Sequence, residues 1–173
     1  SNDATRDIGY TDMPEYTAGL NTGFSWKNFD FSMQWTGAWN VDRMLDEFRR
    51  PLGDTNEKGL LLYQYDTTWR SSADTFTAKF PRTSSLHASN NYAGSDLYLI
   101  NASYLRLKSV EIGYNFNFPF MKKLKMDNCR LYVNGYNLIT ITGFKWGDPE
   151  SRQSSRPNYP LTRVFNIGLK LGF

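Results

Sequence analysis

Histidine, cysteine and long apolar runs are scarce or missing in this 173-residue chain. The single cysteine, Cys129, cannot form an intrachain disulfide, so disulfides do not hold the fold. The single histidine, His87, stands in a polar stretch with no second histidine or cysteine nearby. This isolation argues against a metal site and a histidine-activated nucleophile. We therefore expect no enzyme activity and no cofactor.

No apolar run approaches the roughly 18 residues that a transmembrane helix needs. A membrane β-barrel stays open as an alternative, because a barrel strand presents only alternate residues to lipid. The formal net charge is only +3, and acidic and basic residues are mixed along the chain without a basic stripe. We therefore expect no nucleic-acid partner.

What the chain has in abundance is aromatic residues and alternation. Aromatic side chains make up 16% of the residues, which either a core or two membrane-border girdles could absorb. The closing segment LTRVFNIGLKLGF places Leu161, Phe165, Ile167, Leu169, Leu171 and Phe173 on one face. Its other face is small or polar, so the segment predicts a strand between an apolar and a polar medium.

The same period of two predicts five strands, over 15–26, 29–39, 101–117, 129–142 and 160–173. The first two are separated only by Lys27-Asn28, which indicates a hairpin. In the third strand the apolar phase changes between Leu107 and Val110, so we expect a β-bulge near Lys108–Ser109.

Residues 40–100 lack this alternation. We expect a short helix near 41–50 and an apolar cluster at 60–65 within this stretch. About sixty residues without a strand pattern is long for a compact domain and indicates a functional loop.

The connections between the predicted strands alternate in length: short at 27–28, long at 40–100, short at 118–127 and longer at 143–159. Outer-membrane barrels have short periplasmic turns and long extracellular loops. Five strands in lipid would leave two open edges, and each unsatisfied backbone group in hydrocarbon costs several kcal/mol. The sequence therefore predicts an all-β fold, an antiparallel transmembrane β-barrel segment that belongs to a larger barrel.

Four segments of the sequence resemble SusC/RagA-type TonB-linked (TonB-dependent) outer-membrane transporters. They are PEYTAGLNTGFSWKNFDFSMQWTGAW, ASYLRLKSVEIGYNF, RLYVNGYNLITITGFKWGDPE and YPLTRVFNIGLKLGF. The resemblance covers most of the chain from Pro14 to Phe173. It implies the last five, C-terminal strands of a plugged 22-stranded barrel, with extracellular loops at 40–100 and 143–159. The plug itself would lie outside this chain.

The resemblance also implies function and partners. The whole protein would import oligosaccharides or peptides across the outer membrane of a Gram-negative, Bacteroidetes-like bacterium. Its partners would be the remaining N-terminal barrel and plug, a SusD-like surface lipoprotein, TonB acting through the plug, the barrel-assembly machinery and outer-membrane lipid. In such proteins the final strand resembles the assembly signal, here Phe165, Ile167, Leu169, Leu171 and Phe173.

Candidate site residues fall into three groups. Gln34, Asn134 and Lys170 are predicted to face the lumen. The long loop supplies candidates for contact with substrate or lid, with packing of the loop on itself as an equally weighted alternative: Trp69, Arg70, Asn91 and Tyr92. Asp148 and Glu150 could form a paired-carboxylate site, but the resemblance implies a motif that structures a loop, with a cation contact as a further alternative.

Two further expectations concern the aromatic residues. Girdles are expected at the periplasmic border from Trp26, Phe29, Phe116, Phe118 and Phe173, and at the outer border from Tyr16 and Trp39. The alternative from another functional class is a soluble β-sandwich that binds glycans through loop aromatics and uses the other aromatic residues as its core.

Overall fold

The computed structural model describes residues 9–49, 61–83, 90–117, 119, 125–151 and 161–173, with only the backbone of Glu47 and Asn90. His87 and Phe118 lie outside these residues. The chain divides into two compact units. The sheet unit comprises Pro14–Val41, Ala102–Ser151 and Asn158–Phe173, and the loop unit comprises Asp42–Asn101 with 1–13 and 152–157.

The sheet unit is one antiparallel five-stranded sheet with the order β1-β2-β5-β6-β7. Its strands are β1 (Tyr16–Trp26), β2 (Phe29–Trp39), β5 (Tyr104–Phe116), β6 (Asn128–Thr142) and β7 (Val164–Gly172). The hairpin of β1 and β2 closes on Lys27-Asn28, where Trp26 pairs with Phe29. The predicted fold class, an antiparallel all-β segment, is confirmed.

The register aligns the alternation of every strand, so that the sheet has an apolar face and a polar face. Pairing connects Phe31 to Ile112, Ile112 to Val133, and Val133 to Ile167 along one row of the apolar face. Each of the five strands exposes at least one large apolar side chain on this face, whereas Leu107 of β5 is buried. Its large exposed members are Tyr16, Leu20, Phe24, Trp26, Phe29, Trp39, Ile112, Leu131, Val133, Ile139, Ile141, Phe165, Ile167, Leu169 and Leu171.

The phase change in the third predicted strand is a β-bulge, as expected. Trp35 pairs with Leu107 and Gln34 with Ser109, so Lys108 has no partner on β2. On the other side of β5 the register also shifts between Leu107 and Ser109. The extra residue keeps Leu105 and Leu107 on the same face as Val110 and Ile112, which explains why the sequence changes parity there.

The loop unit contains structure that the sequence pattern did not show. A two-stranded ribbon pairs β3 (Asp42–Met44) with β4 (Leu99–Asn101). A 3₁₀ turn follows at Asp46–Arg49, and a short helix α1 spans Leu62–Thr67. The core of this unit is aromatic, with Phe80 stacked on Phe48 at 5.2 Å and on Tyr98 at 5.8 Å between ring centroids.

One prediction is wrong here. The expected helix over 41–50 is a strand followed by one 3₁₀ turn, because Asp42–Met44 pairs with residues 99–101 instead of forming helical hydrogen bonds. The strand expected over 101–117 is present as β5, which begins at Tyr104, while Asn101 ends β4. None of the described helices is long and apolar enough to span a membrane.

Candidate functional site

The polar face carries a charged network that joins three strands. Arg130 of β6 donates through Nε to Asp30 Oδ1 of β2 at 3.0 Å and through Nη2 to Glu111 Oε1 of β5 at 2.7 Å. Its Nη2 also donates to Asp30 Oδ2. The guanidinium lies 5.1 Å from the ring centroid of Tyr132. We call this group the inner network, because it lies toward the end of the sheet at which the Lys27-Asn28 turn joins β1 and β2.

Amide side chains extend the inner network to β7. Asn134 Nδ2 donates to Glu111 Oε2 at 3.2 Å, and Asn166 Nδ2 donates to Asn134 Oδ1 at 2.9 Å. The network closes over Gly113, where a Cβ atom would overlap Arg130 and Asp30. A residue without a side chain at this position lets the ion pair cross the surface of β5.

A second group, the outer network, lies toward the opposite end of the sheet, where β5 begins and β6 ends. Arg106 of β5 is only 2% exposed. It donates to Asp148 Oδ1 at 2.5 Å, to Glu150 Oε2 at 2.7 Å and to Thr140 Oγ1 at 3.0 Å. A buried arginine is satisfied only when its forked donors all have partners.

The outer network decides the role of the DPE segment. Asp148 Oδ1 also accepts the backbone N–H of Glu150 at 2.9 Å, and the Asp148 carbonyl accepts the backbone N–H of Ser151 at 3.1 Å. Both carboxylates therefore serve to tie the loop after β6 to Arg106. The interpretation of this segment as a loop-structuring motif fits these contacts. The cation that both carboxylates bind is the guanidinium of Arg106.

A depression of about 220 Å³ lies beside the outer network. Its lining includes Arg106, Asn137, Thr140, Leu161 and Arg163. Asn137 adopts a left-handed backbone conformation with φ of 54° at the irregularity of β6, and its amide donates to the Thr162 carbonyl at 3.3 Å. Three of the lining side chains, those of Arg106, Thr140 and Asn137, are thus already hydrogen-bonded.

The three residues predicted to face a lumen all lie on the polar face. Gln34 pairs with Ser109, Asn134 with Asn166, and Lys170 with Arg130. Asn134 belongs to the inner network, and Lys170 is an exposed cation in the row of Arg130. That this face borders a lumen stays a prediction at this point.

The four candidates from the long loop differ in their surroundings. The Tyr98 hydroxyl donates to the Asn91 carbonyl at 2.5 Å, and Arg49 Nε donates to the Tyr92 carbonyl at 3.3 Å. Burial raises the pKa of Tyr98, which keeps this hydroxyl protonated. Asn91 and Tyr92 thus support the core of the loop unit, so the alternative of packing within the loop fits them better.

Trp69 and Arg70 begin a more exposed part of the loop. The Trp69 backbone N–H donates to the Phe80 carbonyl at 2.9 Å. The Arg70 guanidinium lies 5.0 Å from the ring centroid of Tyr65, and its side chain is 51% exposed. Arg70 is therefore the more accessible of the two for a partner.

The structure adds Phe76, which the sequence analysis did not single out. Its side chain is 99% exposed at the tip of a turn spanning 70–78. Asp74 builds this turn, because its carboxylate accepts the backbone N–H groups of Arg70 and Ser71, both at 3.0 Å. These hydrogen bonds hold the pKa of Asp74 below its ordinary value of 3.8. A phenylalanine flanked by two threonines in the segment DTFT was the available signal.

The charged networks were also missed as sites. The signal for them was present, because Asp30, Glu111 and Arg130 are charged residues at polar-face positions of the predicted strands. Charges at such positions need partners across the sheet. Within the described parts of the chain, no cluster of three or more histidine, cysteine or carboxylate side chains could hold a metal ion.

Comparisons with known proteins give related results from sequence and from structure. A scan against protein-family models finds no match. The chain is 29% identical over 187 residues to TonB-dependent receptor P3 of Formosa agariphila, covering 98% of this chain and 17% of that protein. It is 28% identical over 157 residues to TonB-dependent receptor SusC of Bacteroides thetaiotaomicron, covering 90% of this chain and 15% of that protein.

The fold is similar to part of the RagAB peptide importer in its open-open state. The TM-score is 0.74 at 22% identity, with 100% of this chain and 19% of that chain covered. The resemblance to SusC/RagA-type TonB-linked transporters, stated above from four sequence segments, is thereby confirmed. This chain spans about a sixth of the length of these curated relatives.

Proposed function

We propose that the chain is a wall segment, formed by the C-terminal strands, of a TonB-dependent transporter in the outer membrane of a Gram-negative bacterium. The observation that carries the proposal is the two-faced sheet. On its apolar face Phe165 is 71% and Ile167 is 78% exposed, while its polar face holds two ion-pair networks. Hydrocarbon on one side and a polar lumen on the other provide the media that these faces require.

The length of the strands supports a membrane location. β1 has eleven residues, which makes ten steps of about 3.4 Å, or about 34 Å of strand. At a tilt of about 40° this strand covers about 26 Å along the membrane normal, close to the apolar band of about 25 Å in outer-membrane barrels. Tyr16 and Trp26 stand at its two ends, where interfacial aromatic residues are expected.

Connection lengths support an orientation. The short turn at Lys27-Asn28, the last residue of β5 and the first residue of β6 lie at the end of the sheet where Phe173 follows β7. This end of the sheet would be periplasmic. The long segments that leave β2 and β6 would be extracellular. Phe165, Ile167, Leu169 and Leu171 share the apolar face of β7 and would form the signal for the barrel-assembly machinery.

The polar face would border the lumen and plug. Asn134 belongs to the inner network, and Lys170 and Gln34 add further polar groups to this face. Energy for uptake would come from TonB through the plug, which lies outside this chain. Oligosaccharides and peptides are both retained as substrates, because polar amides and an ammonium group suit either class.

A SusD-like lipoprotein would cap the extracellular side. The loop unit has its own aromatic core, so it can present a defined surface. The turn around Asp74 presents Phe76, and such an exposed aromatic side chain on a preorganised turn suits an anchor in a partner's apolar pocket. Arg70, at the start of the same turn, would add a polar contact.

Deletion of 44–95 from the full-length transporter tests the role of this loop. Assembly should survive, because the five strands of the sheet keep their pairing partners, whereas co-purification of the lipoprotein and substrate uptake should fall. Phe76→Ser should weaken the lipoprotein complex by at least about tenfold, the range of interface anchors. Thr77→Ser is the matched control. Unchanged uptake and co-purification after the deletion would refute the role of the loop.

The soluble β-sandwich is the second candidate. It requires a second sheet to cover the apolar face, but the large apolar side chains of β1, β6 and β7 are exposed in the described chain. Co-purification with and without detergent separates the two candidates. A detergent-dependent companion that carries the plug and the other strands supports the transporter, and a monomeric 20.0 kDa species in plain buffer contradicts it.

A further inference from the structure

The apolar face is not uniform. Its main irregularity is a notch near the start of β1 and the end of β2. In one row of the sheet, Ala18 of β1 pairs with Gly37 of β2, so two small residues stand side by side. The rows on either side are large, with Tyr16 beside Trp39 and Leu20 beside Trp35. Small residues between large ones leave a depression of about 330 Å³.

The walls of the notch are held in place by the strand geometry. A Cβ atom on Gly37 would come within 2.7 Å of Trp39 Cη2, so the indole of Trp39 leans along its strand over Gly37. This ring forms one wall, and Trp35, Leu20 and Leu105 form the others around Ala18. The volume falls in the range of small-molecule sites, which start at about 300 Å³.

We propose that this notch, formed by Ala18, Leu20, Trp35, Trp39 and Leu105, is a binding site for one acyl chain of a membrane lipid. The proposal rests on the proposed function, since it takes the apolar face as the surface in contact with lipid. It goes beyond that function because it assigns a defined lipid position, where a smooth barrel wall would exchange its lipids freely.

A hydrocarbon chain is the occupant that the surroundings favour. The notch is continuous with the apolar face, and the five side chains around it offer no carboxylate, amide or basic group. Ala18 is the third residue of β1, counted from the predicted extracellular end, so the notch lies in the half of the sheet next to the outer surface. A straight chain from the outer leaflet can enter there while its headgroup stays at the border marked by Tyr16 and Trp39.

The test is native mass spectrometry of the full-length transporter, extracted in mild detergent from outer membranes. Ala18→Phe fills the notch and should lower the fraction with one retained lipid by at least about tenfold, which corresponds to losing the contact of roughly two methylene groups. Thr22→Phe is the control, because Thr22 lies on the same face of the same strand but pairs with Met33, beyond the notch. It should retain lipid like the wild type.

Equal lipid retention in all three proteins would overturn the proposal, as would a wild type that retains no lipid because another barrel strand fills the notch. If Ala18→Phe fails to reach the heat-modifiable folded form, Ala18→Leu replaces it with the same expected direction. The proposed function fails separately, when the wild-type chain forms no detergent-dependent barrel. If the wild-type barrel imports substrate and the Ala18→Phe variant keeps its lipid, only the proposal of a lipid site in the notch is refuted.

Discussion

Two arginines of the polar face are each held by two carboxylates from other parts of the chain. Arg130 joins Asp30 and Glu111, and Arg106 joins Asp148 and Glu150. The surroundings differ, since the Arg106 side chain is 3% exposed and that of Arg130 is 20% exposed. The more buried arginine should therefore matter more for stability.

Arg106→Ala should lower the free energy of unfolding by about 3 kcal/mol, the low end of the range for breaking a buried ion pair. The low end applies because Glu150, unlike Asp148, is 40% exposed. The free energy of unfolding of Arg106→Lys should lie between those of the wild type and Arg106→Ala. Lysine keeps the charge but lacks the forked donors of the guanidinium group. Chemical unfolding of the reconstituted full-length transporter, followed by tryptophan fluorescence, measures both.

Lys108→Ala is the control for Arg106. The Lys108 ammonium lies 3.9 Å from Glu150 and its side chain is 46% exposed, so its removal should change the free energy of unfolding by less than about 1 kcal/mol. If Lys108→Ala lowers the free energy of unfolding as much as Arg106→Ala does, the outer network contributes no more to stability than an exposed ion pair.

Gly113→Ala should disrupt the inner network. The added methyl group would occupy the space of Arg130 and Asp30, and overpacking of this kind costs about 1–3 kcal/mol. Gly143→Ala is the matched control, because no atom lies within 4 Å of the position that its Cβ would take. The unfolding temperature in a heat-modifiability assay should fall for Gly113→Ala only. A shift of the same size in both would contradict the assigned role of Gly113.

At the scale of the element, β7 offers neighbouring residues on opposite faces. Ile167→Lys places a charge on the apolar face, and in the middle of a bilayer this costs about 2–4 kcal/mol. Asn166→Lys adds the same side chain to the polar face, where it loses one hydrogen bond to Asn134 but stays in a polar medium, so the loss of assembly should be smaller. The measurement is the heat-modifiable fraction in the outer membrane. Equal loss in the two variants would contradict lipid contact on the Ile167 face.

The turn at 70–78 has a predictable dependence on pH. Asp74 has a lowered pKa in the folded state, so its contribution is complete above its ordinary value of 3.8 and is lost as the pH falls through the folded-state value. Hydrogen exchange, corrected for intrinsic rates, should show loss of protection at Arg70 and Ser71 below about pH 4. Asp74→Asn should remove this dependence. Protection that stays constant into acid would contradict the role of the carboxylate.

The strands could be predicted from the sequence because their pattern is local. A period of two identifies a two-faced strand without knowledge of its partner, and the change of parity after Leu107 even located the bulge. The candidate lumen residues Gln34, Asn134 and Lys170 followed from the same parity. Which polar residues bind one another, as Asp30 and Arg130 do across 100 residues, depends on register and was beyond the pattern.

The loop unit could not be predicted, because its backbone structure depends on contacts between residues that are distant in the sequence. Leu45 and Phe48 have the spacing of one helical turn, and both are buried. However, the neighbouring residue Asp42 hydrogen-bonds Asn101, 59 residues away, and that long-range contact selects a strand. Local propensity is a weak guide where a distant partner sets the backbone.

At the scale of the whole molecule, the two open edges of the sheet are decisive. Within the described chain, β1 pairs only with β2 and β7 only with β6. In hydrocarbon, the unpaired backbone groups of both edges would cost on the order of tens of kcal/mol, more than typical domain stability. If the apolar face contacts lipid, as proposed, the two edges therefore need further strands.

The 173-residue chain, exported alone, should consequently fail to reach a folded, heat-modifiable state in the outer membrane. Co-expression with the remainder of its transporter should restore that state, because β1 and β7 then gain partners that satisfy their backbone groups. The measurement is gel mobility before and after boiling, with the co-expressed Ile167→Lys chain as a control that should stay unassembled. A lone chain that is monomeric in buffer and unfolds cooperatively would instead favour the soluble sandwich, since only a covered apolar face is stable in water.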